Sequence, residues 1–406
     1  MSLLEVIKNA SINSKPLDSP LEYPIVLNVD TIIPKLKAEQ EDEQEDAFAS
    51  SLVKPFSGWK ISQADAKIID IGKKFFLQLK EKLKSGNSLD KGEFIGDLNS
   101  YLNSIAEKKG VPVAANPSMP NYTRLLIDKV GFFMGKDVVS LLLDVCISFE
   151  IWDIVEALIE HGVVKHSCHS GLIARLVEKK RSDLICSCIK HAIDLGSSEV
   201  LSILRHFLSP TKDAYDSMVT VKKEWEKQAQ LAIDGIGDGN WNKKNLLLAK
   251  EASILLMVAY DGFSASEICL HYLVASSNIN DVLLSSSFSK LNGKELIALI
   301  RYLLKWLTKY ERFPQAGPCP EAAAVLGLTV CDWVPKLEDV VKFLGFVLDE
   351  NFSSLVLHPE FHELLRLIEE VVSSLTVESK FCFMMSDVVN KLKKEVVKGG
   401  NTYELF

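Results

Sequence analysis

The chain has 406 residues, of which 47% are hydrophobic and 25% are charged, as in a globular protein with one large or two to three smaller domains. Its net charge of −8 disfavours a protein that mainly grips nucleic-acid phosphates, because that affinity comes mostly from lysine and arginine. No run of about 18 apolar residues predicts a membrane span, and the first 15 residues lack the pattern of a secretory signal.

The first segment, residues 1–60, is predicted to be a disordered or extended acidic extension. Pro16, Pro20, Pro24 and Pro34 interrupt it, and six of the eight residues at 39–46 are acidic. Like charges at this density repel each other and oppose the burial of a core. We expect residues 39–46 to be a solvated stretch, with binding to a basic partner as the alternative.

The next segments are predicted to be helical. Residues 62–108 show two amphipathic patterns separated by Ser85-Gly86-Asn87, which indicates a helical hairpin. Residues 110–121 contain three prolines and are predicted to be a linker. Residues 122–289 then show helical blocks of about 10 to 18 residues with short breaks. Short helix pairs in succession are typical of an all-α helical-repeat, α-solenoid-like array, in which each pair packs on its neighbours.

Residues 290–398 are predicted to form a C-terminal helical domain. Leu296, Ile300, Leu303 and Leu307 repeat at helical spacing, which predicts a helix over residues 294–310 that ends before Pro314. A second amphipathic helix is predicted over residues 337–348. A third is expected to start at Pro359, and residues 387–398 are expected to form the final helix.

Two groups of residues are candidates for binding a partner. Arg301, Lys305 and Lys309 lie four residues apart beside an aromatic stripe that includes Tyr302 and Trp306. Basic charge beside aromatic rings is typical of surfaces that bind nucleic acid or acidic peptides. The alternative is that Trp306 is part of the core and the basic residues form the solvated face of the same helix.

The second candidate is the tail at residues 399–406, where Tyr403, Leu405 and Phe406 follow a glycine pair. Apolar side chains at a frayed end lower solubility. The tail is therefore predicted either to fold back onto the last helices or to dock on a partner protein.

The sequence contains no motif that predicts catalysis, and we expect neither a cofactor nor a small-molecule substrate. One group resembles a metal site: His166, Cys168, His169, Cys186 and Cys188. It lacks the paired spacing that structural zinc requires, so no metal is expected. The eight cysteines are instead predicted to be reduced and buried.

The C-terminal segments RYLLKWL, VPKLEDVVKFLGFVLDENFSSLVLHPE and LLRLIEEVV occur in that order. In this order they resemble the C-terminal helical domain of the nucleolar protein 11 family, and the chain end is similar too. Longer members of that family carry an N-terminal β-propeller. No region of this sequence predicts propeller blades, which need many evenly spaced short strands. Functions of the propeller are therefore not transferred to this chain.

The resemblance implies a place in the nucleolus, within the small-subunit processome. There the chain would hold other processome proteins together and support pre-rRNA transcription and early rRNA cleavage. Direct RNA binding by the isolated chain is expected to be weak or absent. The alternative is a helical-repeat adaptor outside the nucleolus that binds a peptide or helix in a groove.

Overall fold

The computed structural model describes residues 62–84, 90–112, 116, 119, 121–237 and 242–400. Within these residues the chain forms 17 α-helices, three short 3-10 helices and no strand, which confirms the prediction of an all-α protein. The acidic segment at residues 1–60 lies outside the described residues. The predicted tail site of Tyr403, Leu405 and Phe406 also lies outside them.

The helices are named in chain order. They are α1 (Gln63–Lys84), α2 (Lys91–Lys109), α3 (Tyr122–Val130), α4 (Lys136–Ser148), α5 (Trp152–Glu160), α6 (His166–Glu178), α7 (Ser182–His191), α8 (Ser197–Leu208), α9 (Lys212–Gly237), α10 (Lys243–Tyr260), α11 (Ala265–Val274), α12 (Asp281–Phe288), α13 (Gly293–Arg312), α14 (Glu321–Leu326), α15 (Leu337–Glu350), α16 (Phe352–Leu357) and α17 (His362–Gly400). The 3-10 helices are Gly131–Phe133, Thr329–Trp333 and Pro359–Phe361.

The first two helices pack against each other and onto the helices that follow residues 110–121. The rings of Phe75 on α1 and Tyr101 on α2 stack with their centroids 4.3 Å apart. The hydroxyl groups of Tyr122 and Thr123 on α3 donate hydrogen bonds of 2.8 Å to side chains of α2. These contacts join the α1–α2 pair to the rest of the helical body.

From α4 to α8 the helices alternate between two neighbouring rows. Helix α4 packs on α6 and α6 on α8, while α3 packs on α5 and α5 on α7. Consecutive helices α4–α5 and α6–α7 link the rows. Buried leucine, isoleucine and valine side chains fill the space between them, so each helix buries its apolar face on its neighbours.

Helix α13 organises the C-terminal part of the body, since it packs against α8, α15 and α17. Its start is fixed by a capping box, in which the Asn292 side chain accepts from the Glu295 N–H at 3.0 Å and the Glu295 carboxylate accepts from the Asn292 N–H at 2.9 Å. It ends at Arg312, two residues before Pro314, because the residue preceding a proline is disfavoured in the α region.

The last helix, α17, is a single helix of 39 residues, about 58 Å long at 1.5 Å per residue. Its first part packs on α13 and buries Ile368. Residues 387–398, which were expected to form the final helix, are the C-terminal part of α17, and this helix begins earlier than expected. Residues 362–398 contain neither glycine nor proline, so nothing in the sequence interrupts the helix. Among the described helices, none is both long and apolar enough to cross a membrane.

Candidate partner-binding groove

Three of the predicted binding residues lie together on one side of α13. Arg301, Lys305 and Lys309 line an open groove of about 420 Å³, and Arg312 extends their row by one more turn. The remaining lining residues are Gly262, Phe263, Leu304 and Thr308. The groove thus has a basic rim on α13 and an apolar floor that the turn between α10 and α11 completes.

That turn has a conformation that the local sequence specifies. Gly262 has a φ of +73°, a region that favours glycine. Ser264 then caps α11, and its hydroxyl accepts from the Glu267 N–H while the Glu267 carboxylate accepts from the Ser264 N–H. Phe263, held between these two features, is 2% exposed and lies 5.8 Å from the Lys305 ammonium, measured to the ring centroid.

The four cations of the rim differ in how they are paired. The Lys305 ammonium lies 2.7 and 2.9 Å from the two Glu267 carboxylate oxygens, and the Lys309 ammonium lies 3.3 Å from the Asp261 carboxylate. In the described part of the chain, Arg301 and Arg312 make neither a hydrogen bond nor an ion pair. Four cations against two carboxylates leave the groove with two guanidinium groups available to an anionic ligand.

The predicted aromatic stripe is not part of this surface. Tyr302 and Trp306 are both 0% exposed, so their proposed direct contact with a partner is wrong and Trp306 belongs to the core. The Trp306 N–H donates to the Tyr302 hydroxyl at 3.1 Å. The rings of Trp306 and Phe263 lie 5.0 Å apart between centroids, so the stripe supports the groove floor from inside.

The buried network under the groove has one consistent proton arrangement. Because the Ala259 carbonyl can only accept, His271 Nε2 donates to it at 3.0 Å. His271 Nδ1 then accepts from the Tyr302 hydroxyl at 2.8 Å. Burial lowers the pKa of His271 to about 3 and raises that of Tyr302 well above its ordinary value. Both side chains therefore stay neutral at physiological pH and act as structural supports.

A larger open groove, of about 760 Å³, lies between α1 and α2. Two cations, Lys74 and Lys82, line it together with the acidic Glu81, and Lys82 is held between Glu93 at 2.6 Å and Asp97 at 2.7 Å. These acidic neighbours already compensate the charge of Lys82. The α1–α2 groove is consequently a weaker candidate for an anionic ligand than the groove on α13.

The residues of the metal-like group lie on two neighbouring helices. His166, Cys168 and His169 are in the first turn of α6, and Cys186 and Cys188 are buried in α7. Over the described ranges, no group of three or more His, Cys, Asp or Glu side chains has the geometry of a metal site. Seven of the eight cysteines are buried, but Cys382 on α17 is exposed, which corrects the expectation that all of them are buried.

Five groove residues were not predicted from the sequence: Arg312, Phe263, Gly262, Leu304 and Thr308. Arg312 follows Arg301 by 11 residues, which returns to the same side of a helix, so the charge spacing contained a signal for it. Phe263 lies in the turn before α11, 38 residues before Arg301, and no spacing rule links the two positions.

The comparisons with known proteins assign no family. No protein-family model matches the sequence, and no curated protein matches it. The resemblance to nucleolar protein 11 therefore stays a prediction.

Proposed function

We propose that this chain is a helical scaffold protein whose α13 groove binds an acidic segment of a partner protein. The observation that carries the proposal is a pair of guanidinium groups, those of Arg301 and Arg312, at the two ends of an apolar floor, which form no ion pair with any residue that the structure describes. Guanidinium groups bind carboxylates through strong, charge-assisted hydrogen bonds. The Phe263 and Leu304 side chains at the floor favour a segment that also carries an apolar residue.

The size and charge of the groove favour an acidic peptide over RNA. Arg301 and Arg312 are 11 residues apart on one helix, a distance of about 17 Å along its axis. The chain has a net charge of −8, and Asp261 and Glu267 lie at the groove itself. Tight binding of a phosphate backbone requires many cationic contacts spread over a longer track. The isolated chain is therefore proposed to bind RNA weakly.

The cellular setting of the proposal follows from the sequence resemblance. Helix α13 contains the RYLLKWL segment that resembles nucleolar protein 11, so the groove lies on the part of the chain that carries the resemblance. We propose a nucleolar role in the small-subunit processome, with other processome proteins as partners. The two helix rows from α4 to α8 support an α-solenoid-like array as the scaffold. The groove would serve equally in an adaptor outside the nucleolus, and localisation separates these two functions.

Binding of an acidic peptide is the first test. A labelled ten-residue peptide rich in glutamate and aspartate, with one central phenylalanine, is titrated against the protein by fluorescence anisotropy. We expect the combined Arg301→Glu and Arg312→Glu substitutions to weaken binding at least tenfold, because each lost charge-assisted contact contributes about 1.5–3 kcal/mol. Raising the salt concentration should weaken binding by the wild type as well.

A matched control uses the same charge change elsewhere. Lys290 and Lys294 are exposed near the start of α13 and outside the groove. Replacing both by glutamate should leave the peptide affinity within about twofold of wild type, because the ligand does not contact them. Equal losses in the two double variants would refute a specific groove, and so would tighter binding of a ten-nucleotide RNA than of the peptide.

A further inference from the structure

The chain contains a segment whose chemistry matches the ligand proposed for the α13 groove. Residues 39–48, with the sequence EQEDEQEDAF, hold six acidic residues, no basic residue and a phenylalanine, Phe48. The carboxylates suit the guanidinium groups of Arg301 and Arg312, and the phenylalanine ring suits the apolar floor. This 39–48 segment lies outside the described residues, and the groove is open in the described part of the chain. The segment is therefore a candidate ligand within the same protein.

The two open grooves differ in the charge that they offer to such a segment. In the groove on α13, four cations face the two carboxylates of Asp261 and Glu267, which leaves a local charge of +2. In the α1–α2 groove, two lysines face three carboxylates, those of Glu81, Glu93 and Asp97, which leaves −1. The six acidic residues give the 39–48 segment a charge of −6. Opposite charges attract, so the segment favours the groove on α13.

The connection between the segment and the helical body is long enough for the segment to reach the groove. Asp46, its last acidic residue, precedes Ser62 by 16 residues, which span about 53–58 Å when extended. Helix α1 packs on α4, α4 on α6, α6 on α8 and α8 on α13. Packed helices lie about 8–10 Å apart, so these four steps cover at most about 40 Å. Adding the roughly 30 Å length of α13 at a right angle gives a distance of about 50 Å, which the connection can span.

We propose that the 39–48 segment binds the α13 groove of its own molecule and competes there with the acidic segment of the partner protein. This inference rests on the proposed function of the groove. A short tether gives the segment an effective concentration of about 1 mM, so a contact with a dissociation constant of about 100 µM fills the groove in roughly nine molecules out of ten. The partner must displace the segment, and its apparent affinity is then about tenfold lower than its affinity for the free groove.

The first experiment measures the affinity of the labelled acidic peptide for variants of the full chain by fluorescence anisotropy. The combined Asp42→Lys, Glu43→Lys and Asp46→Lys substitutions leave the 39–48 segment with three carboxylates and three lysines, so its net charge is zero. We expect this segment variant to bind the peptide about tenfold more tightly than wild type, because the groove is no longer occupied.

The matched control makes the same change in net charge elsewhere in the first 60 residues. Combined Asp18→Lys, Glu22→Lys and Asp30→Lys substitutions replace two aspartates and one glutamate, as in the segment variant. This control should bind the peptide within about threefold of wild type, because overall charge acts only weakly on an exposed ligand at physiological salt. Equal gains in affinity for both variants would overturn the occupation of the groove by the 39–48 segment.

The same titrations separate this inference from the proposed function on which it rests. If the combined Arg301→Glu and Arg312→Glu variant binds the peptide as tightly as wild type, the groove is not the binding site and both are refuted. If that variant binds more weakly while the segment variant binds like wild type, the groove stands and its occupation by the 39–48 segment is refuted.

The second experiment locates the segment directly. A carbodiimide, which joins a carboxylate to an amine in contact with it, is applied to an equal mixture of isotopically light and heavy copies of the full chain. We expect mass spectrometry to find cross-links from residues 39–46 to Lys305 or Lys309, each within one isotopic form, and an excess of the acidic peptide should remove them. The Glu267 carboxylate, 2.7 Å from the Lys305 ammonium, provides an internal positive control. Cross-links between light and heavy copies would overturn the intramolecular contact, and coupling of Glu267 without any cross-link to residues 39–46 would overturn the binding itself.

Discussion

Lowering the pH from 7 to 5 is expected to reduce the free energy of unfolding by about 6 kcal/mol, through three buried histidines that each contribute about 2 kcal/mol. Burial lowers the pKa of His169 and His206 to about 4 and that of His271 to about 3, from an ordinary value of 6.5. The unfolded chain takes up these protons near pH 6.5, whereas the folded chain does not. The stability is therefore complete above pH 6.5 and is lost as the pH falls toward 4.

Urea unfolding at several pH values between 7.5 and 4.5 measures this effect. His206→Gln should reduce the pH dependence by about one third, because it removes one of three buried groups while offering Ser182 a new hydrogen-bond partner in place of the 2.9 Å contact. His358→Gln is the control, because it makes the same substitution at an exposed position. A free energy of unfolding that is constant from pH 7 to 5 would contradict the burial of these histidines.

Trp306→Ala is expected to destabilise the protein by about 3–5 kcal/mol, the usual cost of removing a fully buried tryptophan side chain. The Trp306 ring contacts those of Phe263, His271 and Tyr310, with centroids 5.0, 4.9 and 5.7 Å away. The substitution also removes the N–H that binds the Tyr302 hydroxyl. Urea unfolding at pH 7.5 should record the loss as a lower midpoint with an unchanged slope.

The control for Trp306 is one of its neighbours on α13. Arg301 is exposed and forms no ion pair within the described part of the chain, so Arg301→Ala should change the free energy of unfolding by less than about 0.5 kcal/mol. The two variants should therefore separate stability from binding, since Arg301 contributes to ligand binding and Trp306 contributes to the stability of the core. Similar stabilities for Trp306→Ala and wild type would place Trp306 at the surface and restore the aromatic stripe.

Helix α13 shows how much of the fold and of the binding site could be predicted from the sequence. Its apolar spacing and Pro314 predicted a helix over residues 294–310, and the structure has Gly293–Arg312. The basic side was also predicted, because charges four residues apart must share one side of a helix. The fraction of the circumference of α13 that is buried was not predicted from the sequence. It depends on how many neighbours surround the helix, and contact with His271 on α11 draws Tyr302 into the core.

The groove residue Phe263 and the long helix α17 differ in how far the sequence predicted them. Phe263 joins the groove through a turn whose position is fixed by tertiary packing, so its role depends on the fold. The continuity of α17 was visible in the absence of glycine and proline over residues 362–398. The exposure of the second half of α17, which no described residue covers, was not visible in the sequence, because burial depends on where the body of the protein ends.

Recovery of partners from nuclear extract tests the central claim most directly. The wild-type chain, the combined Arg301→Glu and Arg312→Glu variant, and the combined Lys290→Glu and Lys294→Glu control are compared as baits at equal folded amounts. The account predicts that wild type and control recover rRNA-processing proteins and that the groove variant recovers at least tenfold less. Equal recovery by all three baits, or a wild-type bait that recovers no rRNA-processing protein, would contradict it.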